Sequence, residues 1–224
     1  MRAAQVGDQA RRAAEATLSG VLALRAHYSG RPSELIAAIA VGMAVELGLP
    51  SAEIERIRVA ALLHDVGKLA VPEYILEKPG PLDADEWLSV VQHPRVGDAI
   101  LERVAAVGDA RAIILHHHEH YSGRGYPYGL RGSDIPLGAR IVAIADAYDA
   151  MVRDRPYRCS IGHDAAVAEL RRYAGVQFDP KLVELFCDLY AIEAPLWDRT
   201  LLIHPQPTPV AQSPRQARGN AASA

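Results

Sequence analysis

Residues 51–68 read SAEIERIRVAALLHDVGK, and this stretch decides the fold. Ile54, Ile57, Ala61 and Leu62 recur at helical spacing, and Ser51 stands where it can cap the first turn. Gly67 is expected to stop the helix, and Pro72 to prevent its resumption in the same geometry. The stretch closes on His64-Asp65-Val66-Gly67-Lys68, which sets metal-ligating side chains one turn from a cation that attracts phosphate.

Upstream, Leu35, Ile39, Met43 and Leu47 repeat every fourth residue. This predicts a helix from near Ser33, its cap, to near Gly48 in a left-handed exit. Downstream, Asp83 with Glu86 forms a capping-box pattern, flanked by Leu82 and Trp87 as a hydrophobic staple. Another helix starts at Pro94-Arg95, and a further one is expected from Asp109 to His118. Gly123, Gly125, Pro127, Gly129 and Gly132 break the following segment into a loop. Leu137, Ile141, Ile144, Tyr148 and Met151 restore the helical period, and Asp179-Pro180 opens the last long helix. No alternating strand pattern persists, so the expectation is all-α with at least six helices.

The chain of 224 residues suits one domain, and its net charge of −3 excludes a generally basic nucleic-acid-binding surface. No DNA partner is expected. Residues 1–26 read as an N-terminal helical segment with Leu18, Val21, Leu22 and Arg25 on one stripe, a cap on the core or a homodimer contact. Residues 27–203 form the expected domain, and 204–224 a disordered tail poor in bulky side chains. Cys159 and Cys187 make no disulfide scaffold and are expected as buried thiols. No secretory leader stands out, and the longest apolar run, Leu35 to Val45, falls short of the ~20 residues that span a bilayer. A cytoplasmic protein without direct membrane insertion is expected.

Histidines cluster at His116-His117-His118-Glu119-His120 and pair with other signals at His64-Asp65 and His93-Pro94. Imidazole with carboxylate suits Zn, Mn, Fe or Ni. Asp65 is a natural bridge between an ion near His64 and Asp146 and a second near His93, His117 and His118. Plainer readings remain open: His93 as a cap, the cluster as a polar helix end, Asp146 as an arginine partner. The glycines around Tyr126 permit a close backbone approach to a ligand, and Tyr126 can cover or stack on a base. Arg155, Tyr157 and Arg158 are candidate contacts to phosphate or guanine, or else part of a solvent-facing charge cluster.

These motifs, in this order, resemble the HD-GYP branch of the HD metal-dependent phosphohydrolase superfamily over roughly Tyr28 to Phe186. The resemblance is carried by His64-Asp65-Val66-Gly67-Lys68, Lys78-Pro79-Gly80, His93-Pro94, His117-His118-Glu119, Gly125-Tyr126-Pro127, Ile144-Ala145-Asp146 and Asp154-Arg155-Pro156-Tyr157-Arg158. It implies an all-α helical bundle of five or more core helices with a C-terminal HD-GYP extension. It also implies a metal-dependent phosphodiesterase that opens cyclic di-GMP to pGpG, in some members onward to GMP. By position, His64, Asp65 and Asp146 surround one ion, and Asp65, His93, His117 and His118 the other. The catalytic set is His64, Asp65 and Lys68, with Lys68 near the scissile phosphate. Lys68, Arg124, Tyr126, Arg155 and Tyr157 are the implied substrate contacts. Gly125, Tyr126 and Pro127 form a recognition loop toward a diguanylate cyclase or other signalling partner.

The chain departs from the family where Pro32 replaces the usual first histidine ligand, and where Tyr28 replaces the glutamate of trinuclear members. Two divalent ions are therefore expected, Fe or Mn first, with Zn, Ni or Mg as alternatives. His27 and Glu34 are the nearby substitutes for the missing ligand. A second reading follows from Pro32: a module that binds cyclic di-GMP with weak hydrolysis or none.

Overall fold

Ile36, Ile39, Ala40, Met43 and Ala44 recur at i, i+3, i+4, i+7 and i+8, and they form the buried face of the first core helix, α1 (Glu34–Glu46). The computed structural model describes residues 9, 11–18, 20–21, 33–154 and 159–190. Of the expected stripe, Ile39 and Met43 are fully buried, whereas Leu35 is half-buried and Leu47 exposed, and Ile36, Ala40 and Ala44 complete the core face instead. Ser33 makes no side-chain cap, while Gly48 does leave the helix in the left-handed region at φ 66°.

The second helix, α2 (Ser51–Leu63), is the centre of the bundle and buries Ile57, Val59, Ala60, Ala61 and Leu63. It packs on α1 and on two later helices, α6 (Arg111–His116) and α7 (Leu137–Val152). Each fully buried side chain such as Ile57 or Leu63 contributes roughly 1.5–3 kcal/mol. Two local expectations are corrected. Pro50 holds the N-cap position and Ser51 lies in the first turn without capping. The helix stops at Leu63, before Gly67, which sits inside a 3₁₀ turn, Val66–Ala70.

Beyond that turn come α3 (Glu73–Leu76), α4 (Ala84–Val91) and α5 (His93–Leu101). The capping box forms as expected, with Glu86 N–H donating to Asp83 Oδ1 at 2.9 Å and Asp83 N–H to Glu86 Oε2 at 2.8 Å. The helix expected from Asp109 to His118 divides into a 3₁₀ segment, Ala105–Ala110, and the short α6, which ends at His116. A loop leads to α7, and α8 (His163–Arg172) and α9 (Pro180–Tyr190) complete the order. Asp179 caps α9 by accepting from Lys181 N–H at 3.0 Å, and its other oxygen pairs with Arg140 of α7. Among the described residues there is no β-strand, only an isolated bridge between Ala174 and Phe178.

The described part of the N-terminal segment is fastened by charge. Residues 11–18 are helical, Glu15 is buried, and Arg58 of α2 donates to Glu15 Oε2 at 2.8 Å and to Glu55 Oε2 at 2.7 Å. Leu18 is half-buried and Val21 exposed. Cys187 is buried, but Cys159 is exposed, contrary to the expectation of two buried thiols. Leu22, Arg25, His27, Tyr28, Pro32, Arg155, Tyr157, Arg158 and the 204–224 tail lie outside the described residues. Among the described residues no helix is long and apolar enough to cross a membrane.

Candidate metal centre

Three histidines stand just past a helix end, and each closes the preceding helix in the same way. His64 Nδ1 meets the Ala61 carbonyl of α2 at 2.8 Å. His93 Nδ1 meets Val90 of α4 at 2.8 Å, and His117 Nδ1 meets Ile114 of α6 at 2.6 Å. A carbonyl only accepts, so each Nδ1 carries the proton; Nε2 of His93 and of His117 then turns a lone pair inward, while Nε2 of His64 faces two carboxylates. Final-turn carbonyls need such donors, and the negative ends of the three helices converge where a cation is favoured.

His93, His117 and His118 bring their ligand atoms within 4.8 Å of one another. Their protonation suits ligation. Burial above all lowers His93 to about 4, against the opposing field of Asp65. Burial and then the neighbouring His64 and His93 lower His117 to about 3, and burial and His117 lower His118 well below the usual range. All three are neutral near pH 7. The Nε2 atoms of His93 and His117 therefore face each other at 3.4 Å with two lone pairs and no proton between them. Asp65 Oδ1 is buried without a hydrogen-bond partner, 3.5 Å from His93 Nε2. A cation resolves both defects, and imidazole with carboxylate is a transition-metal donor set.

The opposite side is charged. His64 Nε2 lies 3.4 Å from Asp65 Oδ2 and 3.7 Å from Asp146 Oδ1. Burial acts to lower the His64 pKa, yet the two carboxylates raise it well above the ordinary imidazole value. Burial likewise opposes charge on Asp65, but Lys68 and His64 hold its pKa well down. Lys68 Nζ sits 2.7 Å from Asp65 Oδ2. It is a paired cation on the cavity wall, not the mobile one its place after Gly67 suggests.

Gly67 makes this assembly possible. A Cβ there would overlap the His93 carbonyl and crowd the Gly97 nitrogen, so any larger residue would push the turn off α5. Asp65 and His93 meet because the two backbones touch. Asp146 arrives on α7, whose Gly138 lets it close on Ile57 and Ile113. Gly125 has a comparable role: a Cβ would strike the backbone at His118 and His120, so the loop folds directly over the histidines. Glu119, with its carboxylate buried, anchors that loop by accepting from Tyr128 N–H at 2.7 Å and Leu130 N–H at 3.0 Å.

The centre opens into a cavity of about 310 Å³. His64, Asp65, Lys68, His93, His118, Asp146 and Tyr126 line it, joined by Trp87, Asp149 and Arg153. The Tyr126 ring lies over His118, centroids 4.9 Å apart and planes tilted by 30°. Burial raises the Tyr126 pKa, so the phenol stays neutral. Arg124 is exposed and is not among the residues lining this cavity. Pro127 turns its carbonyl to Arg95 Nη2 at 3.0 Å. Asp149 and Arg153 went unrecognised in the sequence: Asp149 follows Asp146 at i+3 on one helix face, and Arg153, just past the end of α7, donates to Asp149 at 2.6 Å. Trp87 carried no local signal beyond the staple pattern.

Residues 16–182 match the family described as HD domain. The chain is 47% identical over 146 residues to the cyclic di-GMP phosphodiesterase response regulator RpfG of Xanthomonas campestris, covering 63% of this chain and 38% of that protein. It is 39% identical over 173 residues to 3′3′-cGAMP-specific phosphodiesterase 2 of Vibrio cholerae, covering 76% of this chain and 33% of that protein. The crystal structure of the cyclic GMP-AMP phosphodiesterase V-cGAP3 from V. cholerae shares the fold, with TM-score 0.62 at 19% identity over 78% of this chain and 47% of that one. The chain thus spans about a third of the length of these two curated relatives. It belongs to the HD-domain family.

Proposed function

We propose that this chain is a metal-dependent phosphodiesterase acting on a cyclic dinucleotide, with cyclic di-GMP as substrate and pGpG as first product. One observation carries the reading: Asp65 stands between two donor groups, His64 with Asp146 and His93 with His117 and His118, beside Lys68 on an open cavity. Relatives named for cyclic di-GMP and 3′3′-cGAMP supply the substrate class. α8 and α9 form the C-terminal extension of the HD-GYP branch, and the setting is a cytoplasmic signalling system in which a diguanylate cyclase is the natural partner.

His93, His117 and His118 with Asp65 would hold one divalent ion, and His64 and Asp146 with Asp65 a second, Fe or Mn. When bound, such ions supply Lewis-acid charge and an activated water. The chain does the rest. The Nδ1–carbonyl bonds fix the imidazoles, so donor geometry is set before ligand arrives. Lys68 balances Asp65 and adds positive charge where the non-bridging phosphate oxygens must lie. Tyr126 covers His118 and narrows water access from the loop side. The leaving 3′-oxygen takes its proton from solvent.

Binding without hydrolysis is the second reading, favoured by Pro32, which offers no ligand atom where the family places a histidine. The deciding experiment is anaerobic loading with Fe(II) or Mn(II), followed by metal analysis and chromatography of products from cyclic di-GMP. About two ions per chain and pGpG formation lost in Asp65→Ala establish the enzyme. Tight binding without product establishes the sensor, and Pro32→His then tests whether a single donor was missing.

A further inference from the structure

Trp87 is a large aromatic side chain that the core leaves uncovered. It sits on α4, a helix in which no residue is buried, and its surface is 51% exposed. What Trp87 does touch is the site. It lines the same cavity as Lys68, His93 and Asp146, and its ring packs against Tyr126 in a T-shaped contact, with centroids 6.2 Å apart and planes at 81°. Tyr126 in turn lies against His118, so the two rings form one aromatic flank of the site.

The chemistry of the cavity is divided accordingly. Cation-binding groups and Lys68 make up its polar part, chemistry suited to a phosphodiester. Trp87 with the neighbouring Val90 makes an apolar wall on α4, unsuited to phosphate and suited to the flat face of a base. From these positions we infer that Trp87 is the stacking platform for one purine base of the substrate, resting on the cyclic dinucleotide reading given above. Every base has a π-face, so the platform tolerates guanine and adenine alike. It contributes affinity for the nucleobase and leaves the metal and phosphate contacts to other groups.

The test uses the manganese-loaded chain and Trp87→Leu, which keeps an apolar residue at the position expected of the staple but removes the ring. Trp87→Phe restores a ring. Equilibrium binding is measured for pGpG and for inorganic phosphate, a base-free probe, and KM and kcat for cyclic di-GMP and 3′3′-cGAMP. Trp87→Leu is expected to weaken pGpG binding and raise both KM values by about tenfold. kcat, phosphate binding and metal content are expected to stay within about twofold, and Trp87→Phe to recover most of the loss. Unchanged pGpG binding in Trp87→Leu overturns the assignment. So does an equal loss toward inorganic phosphate, or a Phe variant as weak as Leu. A native chain that binds neither pGpG nor cyclic di-GMP instead overturns the dinucleotide reading, and this inference with it.

Discussion

The two sides of the centre are built on different physics. His93, His117 and His118 are neutral because they are buried, and two of them are locked by backbone carbonyls. Around His64, Asp65 and Asp146, two carboxylates and two basic groups balance one another, with Lys68 as the outer member. The first side is preorganised by helix ends and needs little else. The second depends on charge, and its family-expected histidine position is Pro32, outside the described residues. Metal affinity should therefore be more robust on the histidine side, and the shared residue Asp65 should be the point at which both fail.

Asp65→Ala is the largest expected break. Loss of an outer partner of a metal ligand typically costs ~10–100-fold, and a ligand shared by two ions should cost more than that in hydrolysis. Metal analysis is expected to show both ions depleted. His118→Ala, by contrast, should deplete one ion and leave the His64 side loaded. If Asp65→Ala and His118→Ala lose metal equally, the two-sided description is wrong.

Next in size is Gly67→Ala, which attacks the joint between the sides. The added methyl has backbone, not a flexible side chain, in its way. Overpacking of this kind costs ~1–3 kcal/mol or more. A lower melting temperature should accompany weaker metal retention, since Asp65 and His93 would part together. A fully stable variant with normal metal content would show that the turn has slack.

That joint also marks the limit of what the sequence could tell. The helical content, the Asp83–Glu86 box and the Asp179 cap were legible because they depend on residues within one turn of each other. So were the His64-Asp65 and His117-His118 motifs, through chemistry that ordinary cores rarely need. Gly67 read as a stop signal because its real constraint, the backbone of α5, lies 26 residues further on at His93. Ser33 and Ser51 carried the right preference for caps but stand in geometries that do not use it. Lys68 was legible as a phosphate-attracting cation, but its pairing with Asp65 is only revealed by the tight 3₁₀ turn. Trp87 and Arg153 reach the cavity through tertiary packing, which no local pattern encodes.

Glu119→Gln probes the histidine side through its loop. The carboxylate accepts two backbone N–H groups, and an amide can satisfy only one of them with oxygen. Leaving a buried donor unmet costs ~1–3 kcal/mol. Hydrogen exchange at Tyr128 and Leu130 should accelerate, while the His64 side keeps its metal. Acceleration spread over the whole chain would instead make Glu119 a general core residue.

The smallest effect is expected from Asp83→Ala. The substitution removes the acceptor for Glu86 N–H and keeps the backbone N–H of residue 83 that donates to Glu86 Oε2. Such caps are worth ~1 kcal/mol. Glu86 also pairs with Lys78, which keeps the start of α4 tethered after the cap is lost. The site contacts of α4 come from its far end: Val90 supplies the carbonyl for His93, and Trp87 and Val90 line the cavity. Fraying should stay in the first turn, so chemical denaturation should show a shift of about that size with metal content unchanged. A drop in metal binding would mean that α4 moves as a rigid unit and that His93 is positioned by the cap, which would place part of the histidine side's rigidity on an exposed helix instead of on the core.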